Sequence, residues 1–517
     1  MTSQAVSASA SGYGRTHGLL IIVMSLMSSM ALALSGTIVN VAVPDIMGAF
    51  GVGQDLAQWM ATAFFAAMTT GLLASSWAIR SFGQRQVFVG MMGVFIAGSV
   101  VGGTSQEFNI IILARTVQGF AAGVILPLTQ LAMYRVFGPD RRATANGWFG
   151  LSFVLGPGIG PWVGGLAIDA FDWRFTFYVA LPIAATTALL GSFVLPSREE
   201  TGPRPNFDIF GFALLAVALI ASLSGLSNGQ RLGWASDTVV LSLTLGIFSA
   251  VAFVLWEWWH DDPLLDVRQF GSRHFAAANV LSFLFGVGLF GSLYLTPIYV
   301  QLVQSYTPTR AGLVLIPAGL ILGLVMPLMG RIGDRVPAYI PIILGSAGFA
   351  WSNYALGTVD ANTAFWTFAL IVMIGRAAHS AIFPPLMAAG LRNIPAAQIP
   401  SANGTINFTR QLGGAFGINL LAIFLEQRIA FFSDAFAATQ SASNAVTAEF
   451  LDKVENLLAI GGLPETIQQP GALLYLSRVV SAQATTMAFR ETFLMFAIVG
   501  LSGMVFALFL RSPKTRG

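Results

Sequence analysis

The sequence predicts an all-α integral membrane protein with about fourteen spanning helices, and three observations carry that prediction. Of 517 residues, 55% are hydrophobic and only 9% charged, where a soluble globular domain carries about 25% charged residues. Apolar runs long enough to cross a bilayer recur along the whole chain. Gly and Pro are dense inside those runs, a composition that water-exposed helices do not tolerate. Lipid permits it, because the hydrocarbon offers the backbone no hydrogen-bond partner except itself.

Composition also excludes several functions. There is no cysteine, hence no disulfide, thiolate metal site or iron-sulfur cluster. The four histidines are scattered without metal-ligand spacing, and no cofactor is expected. A net charge of +3 spread along the chain argues against nucleic acid as a partner. The two lysines, Lys453 and Lys514, lie outside any phosphate-binding loop, so a gradient rather than a nucleotide supplies the energy.

Taken in order, residues 1–18 form a small polar tail read as cytoplasmic. The apolar run from roughly residue 19 to residue 43 is too long for a signal-peptide core and is read as a retained first span. Further spans near 57–79, 86–104, 109–134, 142–168 and 174–195 complete an N-terminal six-helix half, about residues 19–195. Residues 196–272 carry two inserted spans with their linkers, roughly at 207–226 and 237–259. A C-terminal six-helix half over 273–517 adds spans near 275–303, 310–331, 337–357, 363–391, 400–428 and 488–511. With the N-terminus inside, most Lys and Arg fall in cytoplasmic segments, which puts both termini in the cytoplasm. The outer-face insertion at 431–486 carries Phe450, Leu451, Val454, Leu457 and Leu458 at helical spacing. That pattern predicts a short amphipathic helix lying on the outer face.

The halves repeat each other. Ala145-Asn146-Gly147 recurs as Ala402-Asn403-Gly404, Leu155-Gly156 as Leu412-Gly413, Gly160 as Gly417 and Pro127 as Pro384, all at one constant offset. Parallel repeats with two helices inserted between them follow from that mapping.

The fifth span contains Gly156-Pro157-x-x-Gly160-Pro161-x-x-Gly164-Gly165. Residues four apart share a helix face, so Gly156, Gly160 and Gly164 make a smooth strip where another backbone can approach closely. Pro157 and Pro161 weaken the local ladder, and the stretch reads as a conformational hinge. The run resembles the antiporter motif of major facilitator exporters. Leu34-Ser35-Gly36-Thr37-Ile38-Val39-Asn40-Val41-Ala42-Val43-Pro44 in the first span resembles the signature of the fourteen-helix EmrB/QacA drug:proton antiporters. Relatives of that branch commonly carry an aspartate, linked to proton coupling, where this chain has Ser35. The resemblance implies a major facilitator fold of two six-helix halves plus two inserted helices.

Arg115-Thr116-Val117-Gln118-Gly119 resembles the superfamily's Arg-x-x-Gln-Gly motif. A guanidinium in hydrocarbon is costly, so Arg115 is expected to face the bundle, with Gln118 one turn along, either beside the transport path or as a structural arginine held by carbonyls of the first span. Arg376 and His379 lie one turn apart near the middle of an apolar span. The family pattern does not supply them, which makes them candidates for an anionic substrate group or a proton, against a structural reading in which His379 bonds a carbonyl. Ser35, Asn40 and Arg410 complete the candidate substrate or proton path. No carboxylate is found in the middle of a span; Glu426 and Glu491 fall at outer helix ends, where acids stay hydrated.

A cytoplasmic latch is expected from Arg80, Gly83 and Arg85 in one half and from Gly330, Asp334 and Arg335 in the other. The first copy lacks the family's aspartate, so the latch leans on Asp334. The functional expectation is a secondary exporter of amphipathic or lipophilic small molecules in the inner membrane. By resemblance, docking to a periplasmic adaptor and an outer-membrane channel is a further expectation. The alternatives are a membrane enzyme acting on lipid, which lacks a paired-acid or nucleophile constellation here, and a gradient-driven importer of the same fold.

Overall fold

A 36-residue helix, α1 (Arg15–Phe50), opens the fold and sets its axis. It ends at Gly51, whose φ of 63° is left-handed and lets its N–H reach back to the carbonyl of Met47. The computed structural model describes residues 14–137, 148, 156, 159–197, 206–260, 263–333, 336–392, 394–395, 398–441 and 443–511. The end of the bundle where α1 stops is termed distal here, and the end where it starts proximal.

Successive helices then run back and forth between the two ends. They are α2 (Gln54–Ala57), α3 (Trp59–Phe82), α4 (Gln84–Thr104), α5 (Phe108–Phe137), α6 (159–170), α7 (Phe175–Tyr178), α8 (Leu181–Val194), α9 (Ile209–Leu232) and α10 (Asp237–Trp259). After a 3-10 turn follow α11 (Arg273–Leu302), α12 (Pro308–Gly333), α13 (Tyr339–Leu356), α14 (Phe365–Ser380), α15 (Phe383–Leu391), α16 (Ile399–Thr439), α17 (Ala445–Ile460) and α18 (Glu465–Leu508). Among the described residues, 12 helices are long and apolar enough to cross a membrane. The 18-residue α13 and α6, which follows residues outside the described set, also lie in the bundle.

The core is built from inward faces and the lipid side from outward ones. A single apolar cluster runs from Ile38 and Phe64 through Ile125 and Tyr294 to Phe489 and Phe496, joining α1, α3, α5, α11 and α18. By contrast α10 exposes Leu241, Ile247, Phe248 and Trp259, an apolar surface that only lipid can cover. Leu215 and Leu219 of α9 and Phe253 of α10 cluster with Phe408 of α16, which docks the α9–α10 pair onto the bundle.

Helix contacts are made where side chains are missing. A methyl group on Gly119 or Gly123 of α5 would collide with the backbone of α3 at Phe64 or Met68, and one on Gly413 of α16 with the carbonyl of Phe283 on α11. These are close backbone approaches of the kind that stabilise helix pairs in lipid. The repeated prolines behave differently: Pro127 lies inside the continuous α5, whereas Pro384 and Pro385 open α15 after a break from α14. Two consecutive prolines remove two donors and cannot be absorbed as one can.

The segment expected as a polar outer insertion is almost wholly helical. α16 continues to Thr439 and α18 begins at Glu465, so 41- and 44-residue helices flank α17. α17 is capped by Asn444, whose side chain accepts from the N–H groups of Val446 and Thr447. It packs on α18, with Phe450 stacked on Tyr475 at 6.0 Å and Leu458 against Gly471. Lys453 bonds Glu449 one turn away and holds that carboxyl below the usual range.

Candidate functional site

Arg115 is completely buried and is the hub of the α1–α8 group. Its Nε donates to the carbonyl of Met60 on α3 at 2.9 Å, and its Nη1 donates to the carbonyl of Ser35 on α1 at 3.0 Å. The same Nη1 reaches Gln118 Oε1 at 2.9 Å and lies 3.4 Å from the Ser35 hydroxyl. Gln118 passes the chain on, donating to Ser99 Oγ on α4 at 2.7 Å, and Phe64 stacks under the guanidinium at 4.2 Å. Arg115 Nη2 is buried without a hydrogen-bond partner. Ser35, Arg115 and Gln118 are thus brought together, on one polar thread across four helices.

Gly156 and the glycines of α6 lie against α1. A methyl group on Gly156 would sit 2.6 Å from Ala33 Cβ and 2.7 Å from the N of Leu34; on Gly160 it would meet Thr37 Oγ1 at 3.1 Å, and on Gly164 the side chain of Ile38. Gly165 faces the other way, toward Pro308 and Thr309 at the start of α12, and Gly312 of α12 closes onto Pro161 and Trp162. Pro157 lies outside the described residues.

That α6–α12 contact belongs to a larger seam closing the distal end. Asn40 Nδ2 lies 3.4 Å from the carbonyl of Leu293 on α11, and Gln301 Nε2 donates to the carbonyl of Val41 at 3.1 Å. The N–H of Thr309 donates to Asp169 at 3.1 Å, and Gln54 Nε2 donates to the hydroxyl of the buried Tyr294 at 2.5 Å. Nearer the middle, Phe65 packs on Phe290 at 4.3 Å. Gln54, Gln301 and Tyr294 carry no spacing signal that sequence reasoning can use.

Arg376 and His379 both turn to α11, inside the α11–α18 group. Arg376 Nη1 donates to the carbonyl of Leu289 at 3.2 Å, and His379 Nε2 lies 3.1 Å from the carbonyl of Phe285. The His379 ring is stacked on Phe285 at 4.1 Å and packed on Phe349 at 4.8 Å, with Nδ1 unpartnered. Phe285 continues to Phe383 at 5.0 Å, and the Arg410 guanidinium lies 4.9 Å over that ring. Arg410 and His379 are therefore two rings apart on an aromatic line, and neither joins the Ser35–Arg115–Gln118 thread.

At the proximal end Gly83 links α3 to α4 with φ 84° and ψ 161°, a conformation reserved for glycine. Arg85 Nε donates to the carbonyl of Leu195 at 2.8 Å, while Arg80 is exposed. Gly330 lies within α12; Asp334 and Arg335 lie outside the described residues. The acids expected at hydrated ends differ: Glu491 pairs with Arg428, and Glu426 is half-buried.

This arrangement, with helices packed through glycine and a buried arginine tying four of them, coincides with a family match. Residues 25–418 fit the model described as Major Facilitator Superfamily. The chain belongs to that superfamily. It is a multi-pass membrane protein and a secondary-active transporter of small molecules, not an enzyme. Among its superfamily relatives, the multidrug export protein EmrB of Haemophilus influenzae is 27% identical, with 96% of each chain covered. The multidrug resistance protein B homolog of Mycobacterium tuberculosis is 31% identical over 80% of this chain and 76% of that one. Among solved structures, a bacterial homolog of the human lysosomal transporter Spinster, inward-facing and unoccupied, superposes with a TM-score of 0.64. It is 13% identical and covers 98% of this chain and all (100%) of the other.

Proposed function

We propose that this transporter is an exporter of amphipathic or lipophilic small molecules, of the fourteen-helix EmrB/QacA-like branch, driven by a proton or other ion gradient through alternating access. The observation that carries this reading is the glycine face of α6 set against α1, in a chain similar along almost its whole length to a multidrug export protein. A helix pair with glycine on one side of its contact brings the two backbones close and leaves few side chains to repack when one helix tilts on the other. Ser35, Asn40, Arg115, Gln118, Arg376, His379 and Arg410 are the proposed path residues, with Gly156, Pro157, Gly160, Pro161, Gly164 and Gly165 the proposed hinge. Arg80, Gly83, Arg85, Gly330, Asp334 and Arg335 form the proposed cytoplasmic latch.

In this reading the N-terminus is cytoplasmic, the distal end faces out, and the projecting ends of α16 and α18 with α17 offer a periplasmic adaptor its docking site. Efflux of lipophilic cations and neutral dyes from cells, and uptake into everted vesicles with and without an imposed pH gradient, tests the proposal. Accumulation in the opposite direction would replace it with an importer.

A further inference from the structure

At the distal seam two carboxyl groups from opposite sides of the molecule approach each other. Asp55 on α2 is only 8% exposed, and Glu426 on α16 is half-buried with Oε2 lacking a hydrogen-bond partner. A methyl group on Gly53 would lie 2.6 Å from Asp55 Oδ1 and 3.6 Å from Glu426 Oε1, so the two oxygens lie within about 6 Å of each other, close enough for strong mutual repulsion when both are charged.

Neither carboxyl is in an ion pair among the described residues. Among the described residues the ion pairs are Arg174–Asp172, Arg428–Glu491 and Lys453–Glu449. Arg428, two residues beyond Glu426, is thus already held by α18. Arg231 of α9 bonds Asn228, and Asp45 of α1 faces Asp169 and Asp172 instead. Gln58, at the start of α3, spends its amide on the carbonyl of Asp55 and on Ser227. The remaining titratable neighbour is Tyr294 of α11, fully buried and within the field of both acids. Its oxygen accepts from Gln54, which leaves its own hydroxyl hydrogen to donate.

Two ionised carboxylates do not share a half-dehydrated site; one bound proton removes the repulsion and supplies a donor. We propose that Asp55 and Glu426 form a proton-sharing gate: a proton held by the pair keeps the distal end closed, and its loss lets α2 and α16 part. This inference rests on the reading of a proton-driven exporter and names where that proton acts. The closed state binds one more proton than the open state, so closure is favoured as pH falls, by about tenfold in the closed-to-open ratio per pH unit. If the distal end faces out, loading from the acidic side shuts the outer gate after cargo has left.

The chain has no cysteine, so a pair of spin labels can be placed cleanly. Phe171→Cys and Trp366→Cys put them at distal positions that are 70% and 65% exposed. In the full-length protein in lipid nanodiscs, the interlabel distance is expected to shorten between about pH 8 and about pH 5, as one-proton linkage requires. With Asp55→Asn and Glu426→Gln added it is expected to stay short at every pH; Glu426→Gln alone gives the same reading should the double variant fold poorly. A wild-type distance that ignores pH, one that answers to sodium instead, or a variant with the wild-type response overturns the gate. Efflux in everted vesicles is scored separately: absent wild-type export refutes the exporter reading, whereas gradient-driven export that survives unchanged in Glu426→Gln refutes the gate alone.

Discussion

Arg115 and Ser35 are joined through one guanidinium nitrogen, which donates to the serine carbonyl at 3.0 Å while lying 3.4 Å from its hydroxyl. Among the described residues the neighbouring Nη2 has no hydrogen-bond partner. A charge in hydrocarbon is thus held almost entirely by neutral acceptors, which makes the pair sensitive to small changes on either side.

Arg115→Lys is expected to abolish most transport and to destabilise the protein by about 3 kcal/mol, since an ammonium cannot span Met60, Ser35 and Gln118 at once. Thermal unfolding in detergent, read beside efflux, measures both. Equal activity for Lys would mean the position supplies charge alone.

Ser35→Asp offers Arg115 the carboxylate it lacks. Stability should rise by about 1 to 2 kcal/mol, and proton coupling should strengthen. The same substitution in an Arg115→Ala background should cost about 3 to 5 kcal/mol, because a buried acid is then left alone. A double-mutant cycle with no coupling would refute the contact.

For the glycine face against α1, Gly156→Ala is expected to be far more harmful than Gly160→Ala. The added methyl at Gly156 meets both a side chain and a backbone nitrogen inside 2.8 Å, whereas at Gly160 it meets one hydroxyl at 3.1 Å. A loss of about 1 to 3 kcal/mol and of transport is expected for the first only. Identical behaviour of the two variants would mean that the chain does not press on α1 at Gly156.

His379→Phe keeps a ring between Phe285 and Phe349 and gives up one bond to a carbonyl. Efflux is expected to retain its pH dependence, with stability lowered by about 1 kcal/mol for the lost donor. Loss of pH-driven efflux with downhill movement intact would make His379 the proton carrier.

How much of this was legible depended on the distance over which each signal acts. The spans showed in hydropathy, and the spacing of Gly156, Gly160 and Gly164 showed a face, because both are properties of one helix. The run from 431 to 486 reads as a polar insertion with one short amphipathic helix; α17 covers that helix, and the stretches on either side of it, rich in helix-forming Ala and Leu, extend α16 and α18. Glu426 reads as a hydrated end residue and Asp55 gives no signal of its own, because sequence does not reveal that α2 and α16 meet over Gly53. Nor does it reveal that His379 is enclosed by rings from α11 and α13.

The unbroken length of α16 ties the two ends of events together. At 1.5 Å per residue its 41 residues form a rod of about 60 Å, well beyond the hydrocarbon. One part of it is pressed on α11 at Gly413, a second carries Glu426, and at the far tip Thr439 and Gln440 accept from Asn444 and Thr447 at the start of α17. A stiff rod pivoting at a glycine contact moves its tip further than its middle. In the proposed alternating-access cycle the projecting helices would act as a pointer, turning a small tilt in the middle of the bundle into a larger displacement at α17.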